Sequence, residues 1–307
     1  LFGSGTTNYI KAINWATLTT LMGSVAAIFL AGTLVKNFSG KGLVPDILIQ
    51  SPEFAVSIAI GAALTVFLAT KIGMPISTTH SLVGALVGSG LVAVGMSFNF
   101  DKLISAFLFP LIASPLLAAG TSLIVYLFFR KARQVLKVEK ESCVCIQERV
   151  ETRSDKQSAA LAAMVKTGEL EITTGVACAE NYTGKLFGLN AQNVLDSAHF
   201  LSAGVVSFAR GLNDTPKIMG LLLVVQFLDV RLGLLILAIA IALGGLLNAR
   251  MVGETVSKKI TPMNHGQGFT ANLITGLLVT TASLHGMPVS TTHVSVGSIF
   301  GIGTVTR

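Results

Sequence analysis

Charge is what this chain has least of. Only 12% of its 307 residues are Asp, Glu, Lys or Arg, against about 25% in a soluble domain. Apolar residues reach 51%, and the mean hydropathy is +0.72. The charge deficit argues against a soluble globule and the apolar content against a disordered chain. What remains is a polytopic helical membrane protein. Acids are scarcer than bases, 15 against 22. That balance does not point to nucleic acid, because no basic, aromatic-interleaved patch accompanies it. Basic residues in so apolar a chain belong to loops that flank membrane spans. Cysteine is scarce too. Cys143, Cys145 and Cys178 have no Cys or His nearby at finger-like spacing, so free loop thiols are expected, and no cofactor.

A helix that crosses a bilayer needs about 20 mostly apolar residues. Uncharged runs cover 12–35, 54–70, 74–100 (with His80 neutral) and 103–129. Further hydrophobic segments cover 191–228, 232–249 and 266–305. The last is too long for one span and is expected to break near Gly286-Met287-Pro288, which brings the total to about eight hydrophobic elements. Residues 130–190 hold 18 of the 37 charged side chains. Arg130, Lys131, Arg133, Lys137 and Lys140 there face one nearby acid, Glu139, and mark the cytoplasmic side. The expected organisation is a first membrane repeat at 1–129, a polar cytoplasmic loop at 130–190 and a second membrane repeat at 191–307. Within the loop, 158–172 suits a short amphipathic helix.

The halves share a motif. Gly73-Met74-Pro75-Ile76-Ser77-Thr78-Thr79-His80 returns as Gly286-Met287-Pro288-Val289-Ser290-Thr291-Thr292-His293. The downstream glycines match as well: Gly84, Gly88 and Gly90 with Gly297, Gly301 and Gly303. With 191–228 counted as one span, an odd number of spans separates the copies, which sets them in opposite orientations. Inverted repeats with broken helices are a common secondary-transporter architecture.

Within the motif, Pro75 and Pro288 lack an N–H and discourage helix in the residue before them. Ser77 and Ser290 are then suited to cap a new helix. Each copy thus makes a helix N-terminus inside an apolar segment, where free N–H groups and the positive dipole end favour an anion. The Ser and Thr hydroxyls add donors without net charge. Two such ends facing each other make a cage for a small oxyanion. The competing reading is a hydroxyl-lined helix contact. His80 and His293 fall three residues beyond the caps and suit donation to a backbone carbonyl.

A second constellation lies at 208–218. Arg210, Asp214 and Lys217 sit within a hydrophobic segment, where ionisable groups face partners or a pathway. Their spacings, i,i+4 and i,i+3, allow one shared helix face. Pro216 and Gly211 argue for a discontinuous helix. The alternative is a surface loop with solvated charges. Asp196 and His199, earlier in the segment, are expected at the interface.

Arg210-Gly211-Leu212-Asn213-Asp214-Thr215-Pro216-Lys217 resembles the His-Gly-Ala-Asn-Asp-Val-Ala-Asn signature of the inorganic phosphate transporter (PiT) family. The duplicated Gly-Met-Pro-[Ile/Val]-Ser-Thr-Thr-His element resembles that family's second conserved element. The resemblance covers both hydrophobic halves and implies an all-α polytopic membrane protein with two inverted-topology repeats and discontinuous helices. It implies a symporter for phosphate, working by alternating access and coupled to sodium or protons, in the cell (inner) membrane, with a homodimer as candidate assembly. Asn213 and Asp214 would then line the site with Ser77, Thr78, Thr79, Ser290, Thr291 and Thr292, and would also hold sodium. Arg210 stands where the family often has His, and Lys217 where it often has a second Asn. The first repeat shows no Asn-Asp, and the step from Asn213 to Ser290, taken back from Ser77, runs off the start. A clipped chain is the expectation, with a further Asn-Asp element upstream and one or two helices downstream.

Arg210 suits bidentate contact with phosphate or sulfate. Lys217 is placed to stand in for a cation, which would weaken the need for sodium. Sulfate is the rival substrate: a free Asp214 carboxylate favours hydrogen phosphate by accepting its proton, and an occupied one helps sulfate. Rival classes are an anion channel and a membrane-embedded phosphatase or phosphotransferase. Against the enzyme, no carboxylate or His stands at catalytic spacing from a nucleophile, except the i,i+3 pair Ser77 and His80.

Overall fold

A computed structural model of the chain describes residues 1–2, 4–141, 181–186, 188–223, 229–256 and 263–306. The three cysteines and the expected helix at 158–172 lie outside the described residues. Eleven α-helices are described: α1 (Tyr9–Leu30), α2 (Gly32–Asn37), α3 (Asp46–Ile49), α4 (Pro52–Lys71), α5 (Thr78–Val94), α6 (Phe100–Leu103), α7 (Phe109–Val135), α8 (Ala191–Leu222), α9 (Val230–Glu254), α10 (His265–Leu284) and α11 (Thr291–Gly303). Among the described residues, strands form two small antiparallel ladders. One pairs β1 (Glu139–Glu141) with β2 (Asn181–Thr183), the other β3 (Lys185–Leu186) with β4 (Leu189–Asn190).

Helix starts follow local chemistry. Asn8 caps α1 by accepting the Lys11 N–H at 2.9 Å. Ser51 caps α4, whose first residue is Pro52. Asn264 and Gln267 form a reciprocal capping box on α10. Among the described residues, five helical stretches are long and apolar enough to cross a membrane: Tyr9–Leu30, Pro52–Lys71, Thr78–Ser97, Phe100–Val135 and Val230–Leu247. Their outer faces carry exposed large apolar residues such as Phe29, Val92 and Leu247, a surface that suits lipid rather than water.

Three of the expected segments form two helical hairpins. Helices α4 and α5 run antiparallel, with the Ser57 hydroxyl on Ser89 at 2.9 Å and Gly61 against Ala85. Helices α10 and α11 do the same, with Thr275 on Ser298 at 3.2 Å. The break in 266–305 falls at 285–290, where the sequence predicts it. Both hairpins turn through the same motif. Gly73 (φ +72°) and Gly286 (φ +70°) take the left-handed backbone that ends a helix. The N–H of Met74 then returns to the carbonyl of Ala69, and that of Met287 to Ala282, each at 2.9 Å. Pro75 and Pro288 follow at once and block resumption of the helix.

Helix α8 corrects the expectation of a break at Pro216. It runs unbroken for 32 residues through that proline, and Gly211 to Lys217 are buried, so the alternative of a solvated surface loop fails as well. The reason is tertiary. Helix α8 lies between α1 and α10, close enough to α1 that a Cβ on Gly211 would sit 2.1 Å from the Thr20 carbonyl oxygen. Inside a membrane protein, neighbouring helices satisfy the backbone groups that proline frees, and small residues let the helices touch. The interruptions that matter lie at the two hairpin tips.

The glycines after the motif differ between copies. In α11 a Cβ on Gly297 or Gly301 would sit 2.4 Å from the Pro115 oxygen or 2.1 Å from the Ala119 oxygen, so α11 and α7 are in backbone contact. Among the described residues, Gly84 and Gly88 of α5 have nothing within 4 Å of that position.

Candidate functional site

The two hairpin tips meet head to head beside the C-terminal third of α8. Ser77 caps α5 and Ser290 caps α11, accepting the N–H of His80 and of His293, each at 3.1 Å. The histidine rings turn back onto these caps, with Nδ1 3.0 Å from Ser77 Oγ and 2.9 Å from Ser290 Oγ. This corrects the expectation that they reach a backbone carbonyl. A serine that already caps its own helix is the nearer partner. The two rings lie 4.3 Å apart.

The tips are tied by matching bonds. Thr79 donates to the carbonyl of Val289 at 3.0 Å, and Thr292 donates to that of Ile76 at 3.1 Å. Thr78 and Thr291 instead face α8. Thr78 donates to Asp214 Oδ2 at 3.0 Å. Asn213 Nδ2 donates to Thr291 Oγ1, to Asp214 Oδ1 and to the Val289 carbonyl, each at 3.2 Å. The hydroxyl of Ser283, a residue that sequence reasoning passes over, is shared between the Val279 carbonyl at 2.7 Å and Asn213 Oδ1 at 3.1 Å. Only its place one turn before the Gly286 break hinted at it.

The three charged side chains of α8 do share a face, but they live in different surroundings. Lys217 is fully buried. Its Nζ donates to Thr79 Oγ1 and to the Val289 carbonyl, each at 2.6 Å. It lies 3.7 Å from Asp214 Oδ1 and 5.6 Å from the Phe38 ring centre. Arg210 Nε is also 3.7 Å from Asp214, at Oδ2, but its side chain is 60% exposed. An exposed pair contributes at most about 1 kcal/mol, whereas breaking a buried one costs about 3–5 kcal/mol. Lys217 is therefore the main counter-charge to Asp214, and Arg210 is the exposed one.

Of the residues named from sequence, Ser77, Ser290, Thr79 and Thr292 are engaged in holding the tips. Thr78, Thr291, Asn213, Asp214 and Arg210 gather at one place on α8. Helix α2 supports the second tip through Asn37 Nδ2, which donates to the Gly286 carbonyl at 2.8 Å. His199 lies near the start of α8. It is buried at the other end of α8, with Nδ1 3.0 Å from Thr6 Oγ1. Asp196 pairs there with Nδ1 of His265. The packing of α10 against α8 encloses this second cluster, which is separate from the tips.

A family model described as the phosphate transporter family matches residues 1–307. The chain belongs to the phosphate transporter family. It is therefore an integral membrane transport protein, which removes the phosphatase and phosphotransferase alternatives. Similar proteins include a provisionally named phosphate permease of Pyrococcus furiosus, 28% identical over 98% of this chain and 80% of that protein. A protein of Bacillus subtilis named sulfate permease CysP is 30% identical over 98% of this chain and 69% of that protein. A solved structure described as the sodium-dependent phosphate transporter superposes with a TM-score of 0.71, at 23% identity, over 99% of this chain and 82% of that one. The fold of this family member is thus that of a known transporter.

Proposed function

We propose that the chain is a secondary active transporter that carries inorganic phosphate by alternating access, coupled to sodium or protons. In this reading 1–129 and 191–307 are inverted repeats of a cell (inner) membrane protein, and 130–190 is their cytoplasmic loop. The observation that carries it is the exchange of equivalent bonds between the tips, Thr79 to Val289 and Thr292 to Ile76. Two helix N-termini converge there and favour an anion. Thr291 and Arg210 keep donors for it, and Thr78 and Asn213, which donate to Asp214, line the same place.

Asp214 opposes the anion. Two unit charges about 4 Å apart repel by about 4 kcal/mol near a protein surface. A sodium ion or proton that neutralises Asp214 relieves this repulsion, so cation and anion binding are coupled. Rocking of one repeat against the other then exposes the site alternately. The relatives named as phosphate permeases support this substrate. The test is uptake of labelled phosphate into proteoliposomes. Accumulation above the external level under an imposed sodium or proton gradient is expected. Equilibration without accumulation would make the protein a channel and overturn the reading.

One observation favours sulfate as a second substrate. Both Asp214 oxygens already accept hydrogen bonds, from Thr78 and Asn213, and two cations stand nearby. An engaged carboxylate is a poorer acceptor for the proton that distinguishes hydrogen phosphate. The resemblance to the Bacillus subtilis sulfate permease points the same way. Excess sulfate should then compete with labelled phosphate, and absence of competition removes this reading.

A further inference from the structure

We propose that the Lys217 ammonium is a resident cation that occupies the place of a coupling sodium ion, so that transport by this chain needs no sodium. The inference rests on the permease reading and narrows its driving ion.

The surroundings of Nζ carry it. An ammonium offers three N–H donors and no acceptor. Two are engaged at 2.6 Å, on a threonine hydroxyl and a main-chain carbonyl. The third side faces the Asp214 carboxylate at 3.7 Å. Hydroxyl, carbonyl and carboxylate oxygens are the donor set of a hard cation. The Phe38 ring centre lies 5.6 Å from Nζ. The side chain is wholly buried, and a buried charge persists only when it is paired and hydrogen-bonded.

The three oxygens also come from three elements. Thr79 belongs to the first tip, Val289 to the second and Asp214 to α8. A free ion at this point would be the one whose arrival joins them. The tethered ammonium joins them permanently. With Arg210 and Lys217 against Asp214, the site keeps a net positive charge. The anion then has no need to await a sodium ion from solution. The gradient left to drive it is that of protons, carried on the anion itself or on groups outside this cage.

The test uses the full chain in proteoliposomes, with labelled phosphate and sodium replaced by choline. Wild-type uptake should change by less than about twofold, and Lys217→Asn, which vacates the cage, should show uptake at least about tenfold higher in sodium than in choline. Sodium should also raise the unfolding temperature of the variant and leave that of the wild type unchanged. Loss of wild-type uptake in choline, or equal stabilisation of both proteins by sodium, overturns the inference and leaves the permease reading standing. The wild-type comparison decides even if the variant does not fold. Failure of the wild type to take up phosphate in any medium sinks the permease reading and this inference with it.

Discussion

Thr79 donates its hydroxyl to the carbonyl of Val289 at 3.0 Å, and the repeat copies of these residues return the bond, Thr292 to Ile76 at 3.1 Å. The two contacts are equivalent in geometry and unequal in consequence. The Val289 carbonyl also accepts from Asn213 and Lys217, while Thr79 is itself an acceptor for Lys217. Thr292→Val therefore leaves the Ile76 carbonyl without its side-chain donor and should destabilise the fold by about 1–3 kcal/mol. Thr79→Val leaves Val289 with two donors but strips Lys217 of a partner. Its stability loss should be of similar size and its uptake loss larger. Denaturant unfolding and phosphate uptake on the two variants check this, and identical uptake defects would contradict it.

Removing the carboxylate leaves two cations without their counter-charge, one of them fully buried. Asp214→Asn should destabilise the protein by about 3–5 kcal/mol. Adding Lys217→Gln should recover part of that loss, because the second change removes the stranded charge. A double-mutant cycle by thermal unfolding measures the coupling. Simple additivity of the two losses would show that the pair does not interact.

Glycine positions separate packing from propensity. Gly211 lies where a Cβ would meet the α1 backbone at 2.1 Å, and Gly244 of α9 lies where nothing is within 4 Å. Gly211→Ala should push α8 off α1 and destabilise by more than about 1 kcal/mol. Gly244→Ala should be neutral or stabilising by up to about 1 kcal/mol, since alanine is the better helix former. A lowered melting temperature for Gly211→Ala and an unchanged or raised one for Gly244→Ala are the expected result.

The helix caps offer a test of equivalence. Ser77 and Ser290 each accept a helix N–H at 3.1 Å and each meet a histidine Nδ1. Ser77→Ala and Ser290→Ala should each cost about 1 kcal/mol, and both should free the histidine rings. Parallel changes in stability and in phosphate affinity are expected. A loss confined to one of the two would argue against matched roles.

These contacts were legible in the sequence to different depths. The hairpin turns were plain, because glycine before Met-Pro ends a helix and serine after it starts another, and both signals are local. The spacing of Arg210, Asp214 and Lys217 allows one shared face, although the break expected at Pro216 argues against it. The continuity of α8 through Pro216 did not, because proline's local penalty is offset by α1 and α10, which pack from far along the chain. Ser283 and the Phe38 ring were hidden for the same reason, since nothing near them in sequence says that they approach Asn213 or Lys217. Lys217 stands out in the sequence as a charge in an apolar run, but its two ligands come from opposite tips, which only the fold brings together.

The central claim is that the two tips and α8 together hold one tetrahedral oxyanion. Anomalous diffraction from crystals of the protein soaked in arsenate tests it most directly, because arsenic reports its own position. The account predicts a single strong peak in contact with Thr78, Thr291 and Arg210, lost in Arg210→Ala. A peak elsewhere in the fold, or no peak at the tips under conditions where arsenate competes for phosphate uptake, would contradict it.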